Sequence, residues 1–363
     1  MVGDPQGHER NGAAAETAVA VSQAEHLASA AEMRAMIFGR LLSAALCTAA
    51  ALRLPDLLHE GPQTAEQLAR RCGALPGPLA RLLRVLANFD TVTVGADGAF
   101  ALTSLGETLR SDVPGSAWPT AMLAAEFGPG WDRLLDTVRT GTPSFERVHG
   151  VDVFGLLAGD PELSSLFYAS QAADLDLTLD RLSRVDFTRF PTIVDVGGGD
   201  GALLRRVLTD HPAGRGVLLD LPGAAAQARE RLAAAGLGDR CAVSAGDFFT
   251  AVPAGGDLYL LRDILHDWPD ARCLELLTVC RRAMAPTATL MIIERVSDPV
   301  LSSDPAARLT GLMDLYMLSV LDGRERTLEE FAVLLTSAGF VPSPAVRLTG
   351  GAAVIEAAPG PSE

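Results

Sequence analysis

The run Ile193–Gly201, IVDVGGGDG, restricts the fold of this chain more than any other segment. A β-branched apolar stretch carries an acid, opens into four glycines and passes directly into the helical pattern ALLRRVL of residues 202–208. The order predicted is strand, tight turn, helix start. Glycines at such a turn adopt φ values that a side chain forbids, and they let backbone N–H groups approach a bound ligand. Turn chemistry alone would explain one such run, so the segments downstream carry the argument.

Residues 216–220, GVLLD, read as a second strand ending at Asp220, where a dinucleotide-type fold places the acid that holds ribose hydroxyls. A third strand at 241–244 runs into Gly246, Asp247, Phe248 and Phe249, and a fourth at 257–261 runs into Arg262, Asp263, His266, Asp267, Trp268 and Asp270. Polar residues therefore gather at successive strand ends. In an open parallel sheet these ends line one crevice, where ligands bind. Taken singly, each acid also suits a helix N-cap or a solvated loop.

Four motifs in order, VDVGGGDG (Val194–Gly201), GDFF (Gly246–Phe249), LHDW (Leu265–Trp268) and GRERT (Gly323–Thr327) followed by Glu330 and Phe331, carry a family resemblance. From about residue 30 onward the chain resembles the S-adenosylmethionine-dependent O-methyltransferases of the plant caffeate and hydroxyindole type, whose bacterial relatives act on antibiotic intermediates. The resemblance implies a class I methyltransferase fold: an α/β, Rossmann-like, mainly parallel seven-stranded sheet behind an N-terminal α-helical, winged-helix-like dimerisation domain. It implies S-adenosyl-L-methionine as cofactor and S-adenosyl-L-homocysteine as product. The turn after Asp195, with Gly197 and Gly199, would lie against the methionine part, and Asp220 with Leu221 against the ribose. Asp247 would accept from the adenine amino group and Phe248 would pack on the base. Phe167 would stand beside the cofactor, on a helix from about Pro161 to Val185. Two departures are visible: Arg262 stands where the family often has lysine, and Gln171 where it often has methionine. An arginine keeps the charge but changes the hydrogen-bond geometry.

Methyl transfer from a sulfonium is an in-line displacement that needs an anionic oxygen behind the methyl carbon, and positioning supplies much of the rate. A phenol with a pKa near ~10 is mostly protonated at neutral pH, and a histidine near ~6.5 suits its proton. His266 is the expected general base, at a strand end beside the cofactor acids. The resemblance adds Glu294 and Glu325 as carboxylates that orient the imidazole, and Met313, Asp314, Met317 and Trp268 as acceptor contacts. Glu294 closes the apolar strand 290–294, where a charge is costly to bury without a role. The other histidines, at 8, 26, 59, 149 and 211, match no motif.

No His-x-x-x-His and no cysteine pair at ligand spacing occurs, so the expectation is a metal-independent reaction. Asp263, Asp267 and Asp270 read as loop and N-cap residues before the helix near Pro269. No Gly-x-Ser-x-Gly elbow suggests a serine hydrolase.

The length of 363 residues suits two domains, and 48% hydrophobic with 21% charged residues describes globular ones. The boundaries expected are a disordered tail at 1–20, a dimerisation domain at 21–112 and a catalytic domain at 113–363 that includes a helical connector at 113–190. A net charge of −15 argues against nucleic acid or an anionic membrane as partner. Five scattered cysteines fit free thiols in a reducing cytoplasm, and the N-terminus lacks the plan of a signal peptide. The apolar segment Leu41–Leu52 reads as a buried helix too short to span a bilayer.

Within the N-terminal domain, Thr64 and Gln67 form a capping-box pattern for a helix ending before Gly73, and a second helix follows Pro78. Residues 91–94 and 99–102 flank GADG as a hairpin. Helix, helix and hairpin make a winged-helix pattern, which in many proteins binds DNA. Here the charges between Glu60 and Arg110 cancel, and Arg81 and Arg84 lie among leucines, so packing explains the pattern better than a basic footprint.

The function expected is therefore O-methylation of a hydroxyl, phenolic in the first instance, on a small aromatic natural product by a homodimer. An amine acceptor suits the same residues. The alternatives are a family member that uses the cofactor pocket for hydroxylation or decarboxylation, and a winged-helix ligand-sensing regulator.

Overall fold

The computed structural model describes residues 23–182 and 185–361, so the tail expected at 1–20 lies outside the described residues. The chain divides into two compact units between Arg110 and Ser111.

In the first unit, Thr64 caps the helix Ala65–Cys72 through the full capping box with Gln67, and Gly73 ends it at φ 72°. The next helix starts at Pro76 and not after Pro78, because proline at the first helical position lacks an N–H that would be unpaired there anyway. It buries Leu79, Leu83 and Leu86. Strands β1 (Val92–Val94) and β2 (Phe100–Leu102) then pair antiparallel as a hairpin.

The first helix of this unit differs from its sequence reading in length. The helix Gln23–Ala51 has 29 residues, with a one-residue turn at Phe38, so it is longer than its apolar core suggested and, by length and composition alone, could cross a bilayer. Nor is it buried in the single chain. Only Ala49 and Ala50 are buried in its Gly39–Ala51 part, whereas Ile37, Phe38 and Leu41 are 62–67% exposed. An apolar face of this size left open is the mark of a partner surface.

The second unit holds the expected sheet. Strands β3 (Thr192–Val196), β4 (Arg215–Asp220), β5 (Cys241–Ala245), β6 (Leu258–Arg262) and β7 (Thr289–Arg295) are parallel. Their neighbours β8 (Phe340–Pro342) and β10 (Ala352–Pro359) complete a seven-strand path in the order β5-β4-β3-β6-β7-β10-β8, with β10 antiparallel to both flanking strands. An additional two-residue β9 (Val346–Arg347) pairs with β10.

Near-continuous apolar runs make the central strands parallel and buried on both faces. One face packs on the helices Asp270–Ala283 and Leu328–Ser337, through Leu276, Leu277, Phe331 and Leu335. The other packs on Ala202–Asp210 and Pro222–Ala234, through Leu204, Leu208 and Leu232. The chain leaves β3 toward β4 and β5, then crosses back to place β6 on β3's other side. That reversal opens a crevice at the carboxyl ends of β3 and β6.

Candidate active site

Two cavities occupy this end of the sheet. The first, of about 350 Å³, is lined by every residue that the sequence assigned to the cofactor: Asp195, Gly197, Gly199, Asp220, Leu221, Asp247, Phe248, Arg262 and Phe167. Its floor is backbone. Gly197 and Gly199 have φ of 73° and 58°, and a Cβ on either would crowd a neighbour, 2.5 Å from Ile264 Cδ1 and 3.2 Å from the Tyr168 ring.

Asp220 holds this turn in place. Its Oδ2 accepts from the Gly199 N–H at 2.8 Å and its Oδ1 from the Leu221 N–H at 2.6 Å. Burial raises its pKa while these two donors pull it down. Asp195 is 2% exposed, and its Oδ2 has no hydrogen-bond partner. Burial, reinforced by Asp220, pushes its pKa up to about 7.

Asp247 also does what a loop acid does, accepting from the Phe249 N–H at 2.8 Å. Next to it Phe248, Phe249 and Trp268 form edge-to-face pairs, Phe154 stacks on Trp268, and the Arg272 guanidinium lies 3.5 Å over Phe249. Trp268 thus lines the first cavity and not the second, where Met313 and Met317 stand.

The second cavity, of about 380 Å³, shares Phe167, Gln171, Arg262, Asp263 and Asp267 with the first. His266, Glu294, Glu325, Met313 and Met317 line it, together with Phe127, Trp131 and Tyr316. Asp314 lines neither cavity. Its Oδ1 instead accepts from the Glu325 N–H at 2.8 Å, so it positions the loop that carries Glu325.

His266 lies in a short 3-10 turn, Leu265–Asp267, after β6, and is 8% exposed. Its Nδ1 is 3.4 Å from Glu325 Oε1 and 3.7 Å from Glu294 Oε2, and its Nε2 is 3.4 Å from Asp267 Oδ1. Glu294 is wholly buried on β7, and its Oε1 accepts from the N–H groups of Ile264 and Leu265, at 2.9 and 2.7 Å, tying down the start of the turn.

Burial opposes a charge on His266, but Glu294, Asp267 and Glu325 favour it and prevail, holding its pKa well above the usual value. The cluster's acids respond in kind. Burial lifts Glu294 to about 7 against the pull of His266, and Asp267 to about 7 for the same reasons.

Arg326, 0% exposed, clamps the two halves of this site. It donates to the carbonyls of Leu265 and Trp268, each at 2.7 Å, and to Asp270 Oδ1 at 2.8 and 3.0 Å. The Arg324 N–H meanwhile donates to the His266 carbonyl at 2.9 Å. Gly323 makes this approach possible, since a Cβ there would stand 1.9 Å from that carbonyl oxygen.

Sequence reasoning missed this clamp, along with Asp267. Asp270 is not the N-cap of the helix Asp270–Ala283, which is Pro269, and serves the arginines instead. The signal available was three charges packed into GRERT, a segment too short to be a solvated face. Asp263, His266 and Glu294 also bring ligand-type atoms within 4.8 Å of one another, a grouping that linear spacing did not reveal.

Comparison with known proteins gives this geometry its class. The model of an O-methyltransferase domain matches residues 131–341, and that of an O-methyltransferase dimerisation domain matches residues 35–112. The O-methyltransferase SfmM3 of Streptomyces lavendulae is 45% identical over 330 residues, covering 90% of this chain and 99% of its own. The crystal structure of LaPhzM superposes with a TM-score of 0.86 at 37% identity, over 91% of this chain and 99% of that one. The neocarzinostatin-biosynthesis O-methyltransferase NcsB1, solved with S-adenosylmethionine and 2-hydroxy-5-methyl naphthoic acid, gives 0.77 at 32% identity, over 88% and 96%.

Fold and cavity together define a class I, S-adenosylmethionine-dependent methyltransferase. The chain belongs to the O-methyltransferase family whose catalytic and dimerisation domains it carries in order, with relatives that are bacterial natural-product enzymes. The dimerisation domain supports a homodimer. The first cavity fits the cofactor: a bare backbone cradle, an unpartnered buried acid, an acid at the second strand end and an aromatic wall suit a molecule with an ammonium, a ribose and a base.

Proposed function

We propose that the chain transfers a methyl group to a phenolic hydroxyl of a small aromatic natural product, with His266 as general base. The observation that carries this reading is the placement of His266. It lines the second cavity with Glu325 on one ring nitrogen, while its Nε2 lies on the side of Asp267, a residue shared by both cavities.

S-adenosylmethionine supplies an electrophilic methyl carbon on a sulfonium. Asp220, Asp247 and Phe248 would hold its nucleoside, and Asp195 with the Gly197–Gly199 turn would hold its amino-acid end. Glu325 and Glu294 keep the proton on Nδ1, leaving the Nε2 lone pair for the acceptor. The acceptor oxygen would give its proton to Nε2 as it takes the methyl group, the methyl–sulfur bond breaking so that neutral S-adenosylhomocysteine leaves. Asp267 stabilises the imidazolium that results. Met313, Met317, Trp131 and Tyr316 offer an adaptable, largely apolar bed for a flat ring.

Because the carboxylates raise the pKa of His266, its neutral form is scarce at pH 6.5 and grows as pH rises. The rate therefore increases with pH through a limb above 6.5. A pH profile of kcat on a phenol of known pKa tests this; a limb below 6.5, or none, would remove His266 as base.

The reading includes no metal, a cytoplasmic enzyme without nucleic-acid or membrane partners, and a homodimer formed through the open face of Gln23–Ala51. Sedimentation of the full-length protein as an active monomer at micromolar concentration would overturn the last point.

A further inference from the structure

The acceptor cavity has two unlike walls. One is aromatic and thioether, from Phe127, Trp131, Tyr316, Met313 and Met317, and the other carries, beside His266, Asp267, Glu294 and Glu325, four further charges, Asp174, Arg262, Asp263 and Arg295. Asp263 borders the His266, Glu294 and Glu325 cluster that the proposed reaction uses, and Asp174 and Arg295 have no role in that reaction. A purely apolar acceptor gives charged side chains nothing in exchange for the water it displaces, and that loss is costly. Their presence on the wall is therefore information about the acceptor.

Arg262 and Asp263 neutralise each other, with Nη2 and Oδ2 at 2.9 Å. The remaining opposite charges are Asp174, on the helix Pro161–Leu182, and Arg295, at the end of β7. Arg295 donates through Nη1 to the Gly350 carbonyl at 3.2 Å, which orients the guanidinium and leaves its other donors to be met. The Asp174 side chain is exposed while lining the cavity, so water or ligand reaches it. Burial by the surrounding protein raises its carboxyl pKa, as does Asp263, whereas Arg262 and Arg295 lower it. Asp263, Arg262 and Arg295 thus all lie within electrostatic reach of Asp174.

We propose that the acceptor is an aromatic molecule bearing a zwitterionic α-amino acid head, its ammonium received by Asp174 and its carboxylate by Arg295. A carboxylate offers about four lone-pair sites and a guanidinium five N–H donors, so each can meet such a head beside the partners it already has. The pairing also explains why the charged wall holds both signs. An acceptor with a lone carboxylate would face Asp174 and Asp263, and one with a lone amine would leave Arg295 unmatched. The inference rests on the second cavity being where the proposed reaction takes its acceptor.

The test is a binding measurement on the full-length protein saturated with S-adenosylhomocysteine, so that it does not depend on turnover. Four catechols with matched rings are titrated by calorimetry: 3,4-dihydroxyphenylalanine, dopamine, 3,4-dihydroxyphenylpropionate and 4-methylcatechol. The amino acid is expected to bind about ten- to hundredfold more tightly than each of the others, the range for charge-assisted contacts. Asp174→Asn should bring the ratio of amino acid to propionate toward one, and Arg295→Gln the ratio of amino acid to amine. A flat order, tightest binding by the propionate or by 4-methylcatechol, no binding of the amino acid, or ratios unchanged in both variants would overturn the proposal. Tight binding of the amino acid without its methylation would support the head-group assignment and count against the proposed reaction.

Discussion

The two cavities meet at Phe167, Gln171, Arg262, Asp263 and Asp267, yet they are built on opposite principles. The cofactor cavity is mostly a property of backbone. Its floor is the left-handed turn at Gly197 and Gly199, and Asp220 holds that turn by two N–H groups. The second cavity, which we propose takes the acceptor, is a property of side chains brought from residues as far apart as Thr120 and Ala352, and its charge belongs to the assembled cluster. A backbone cradle recognises what all members of a class share, whereas a side-chain wall can be re-cut for each acceptor.

If that division is right, variants on the two sides separate cleanly. His266→Ala should cost ~10²–10⁴-fold in kcat on a weakly acidic phenol. Its affinity for S-adenosylhomocysteine, measured by calorimetry, should stay near the wild-type value; equal losses in both would erase the boundary between the cavities. Next comes Arg326→Lys, which keeps a charge but loses the planar fork that reaches Leu265, Trp268 and Asp270 together. Misplacing His266 by a fraction of an ångström should lower kcat by about ten- to a hundredfold with KM nearly unchanged. Should circular dichroism show Arg326→Lys unfolded, Asp270→Asn loosens the same clamp from its exposed side and should lower kcat more than KM.

On the cofactor side, Asp220→Ala should weaken cofactor binding by about ten- to a hundredfold, because charge-assisted hydrogen bonds and the hold on the glycine turn are lost together. Unchanged calorimetry would remove Asp220 from the ribose. A subtler change is expected for Glu325→Gln. With one of the carboxylates that favour the imidazolium gone, the raised pKa of His266 falls and the acidic limb of the kcat profile moves to lower pH. A limb that stays or moves upward would mean that Glu325 does not act through the imidazole. The smallest effect expected is none at all, on dialysis against a chelator. Activity lost there and restored by a divalent cation would reassign Asp263, His266 and Glu294 as its ligands.

How far these features were legible in the sequence follows the same division. Strand, turn and helix at 193–208 could be read because a buried parallel strand needs a continuous apolar run and its turn needs glycine, both local demands. The capping box at Thr64 and Gln67 was legible for the same reason. Where Trp268 and Asp314 would stand relative to the two cavities was not legible, because it depends on partners distant in the chain, here Phe154 for one and the Glu325 N–H for the other. The helix read as buried at Leu41–Leu52 keeps its neighbours Ile37, Phe38 and Leu41 in the open, since hydropathy marks a face to be covered without saying which molecule covers it.

The amino-acid order by itself determined the α/β class and the crevice at the strand ends that Asp195, Asp220 and Asp247 line, because each follows from the backbone's local needs at a strand end. Only the tertiary structure decided that Asp267 faces Nε2 of His266, that Arg326 locks the His266 turn to the Glu325 loop, and that Asp174 and Arg295 line one cavity. Charges interact through space as the inverse of distance and of the local dielectric, and neither quantity exists until separate segments have packed.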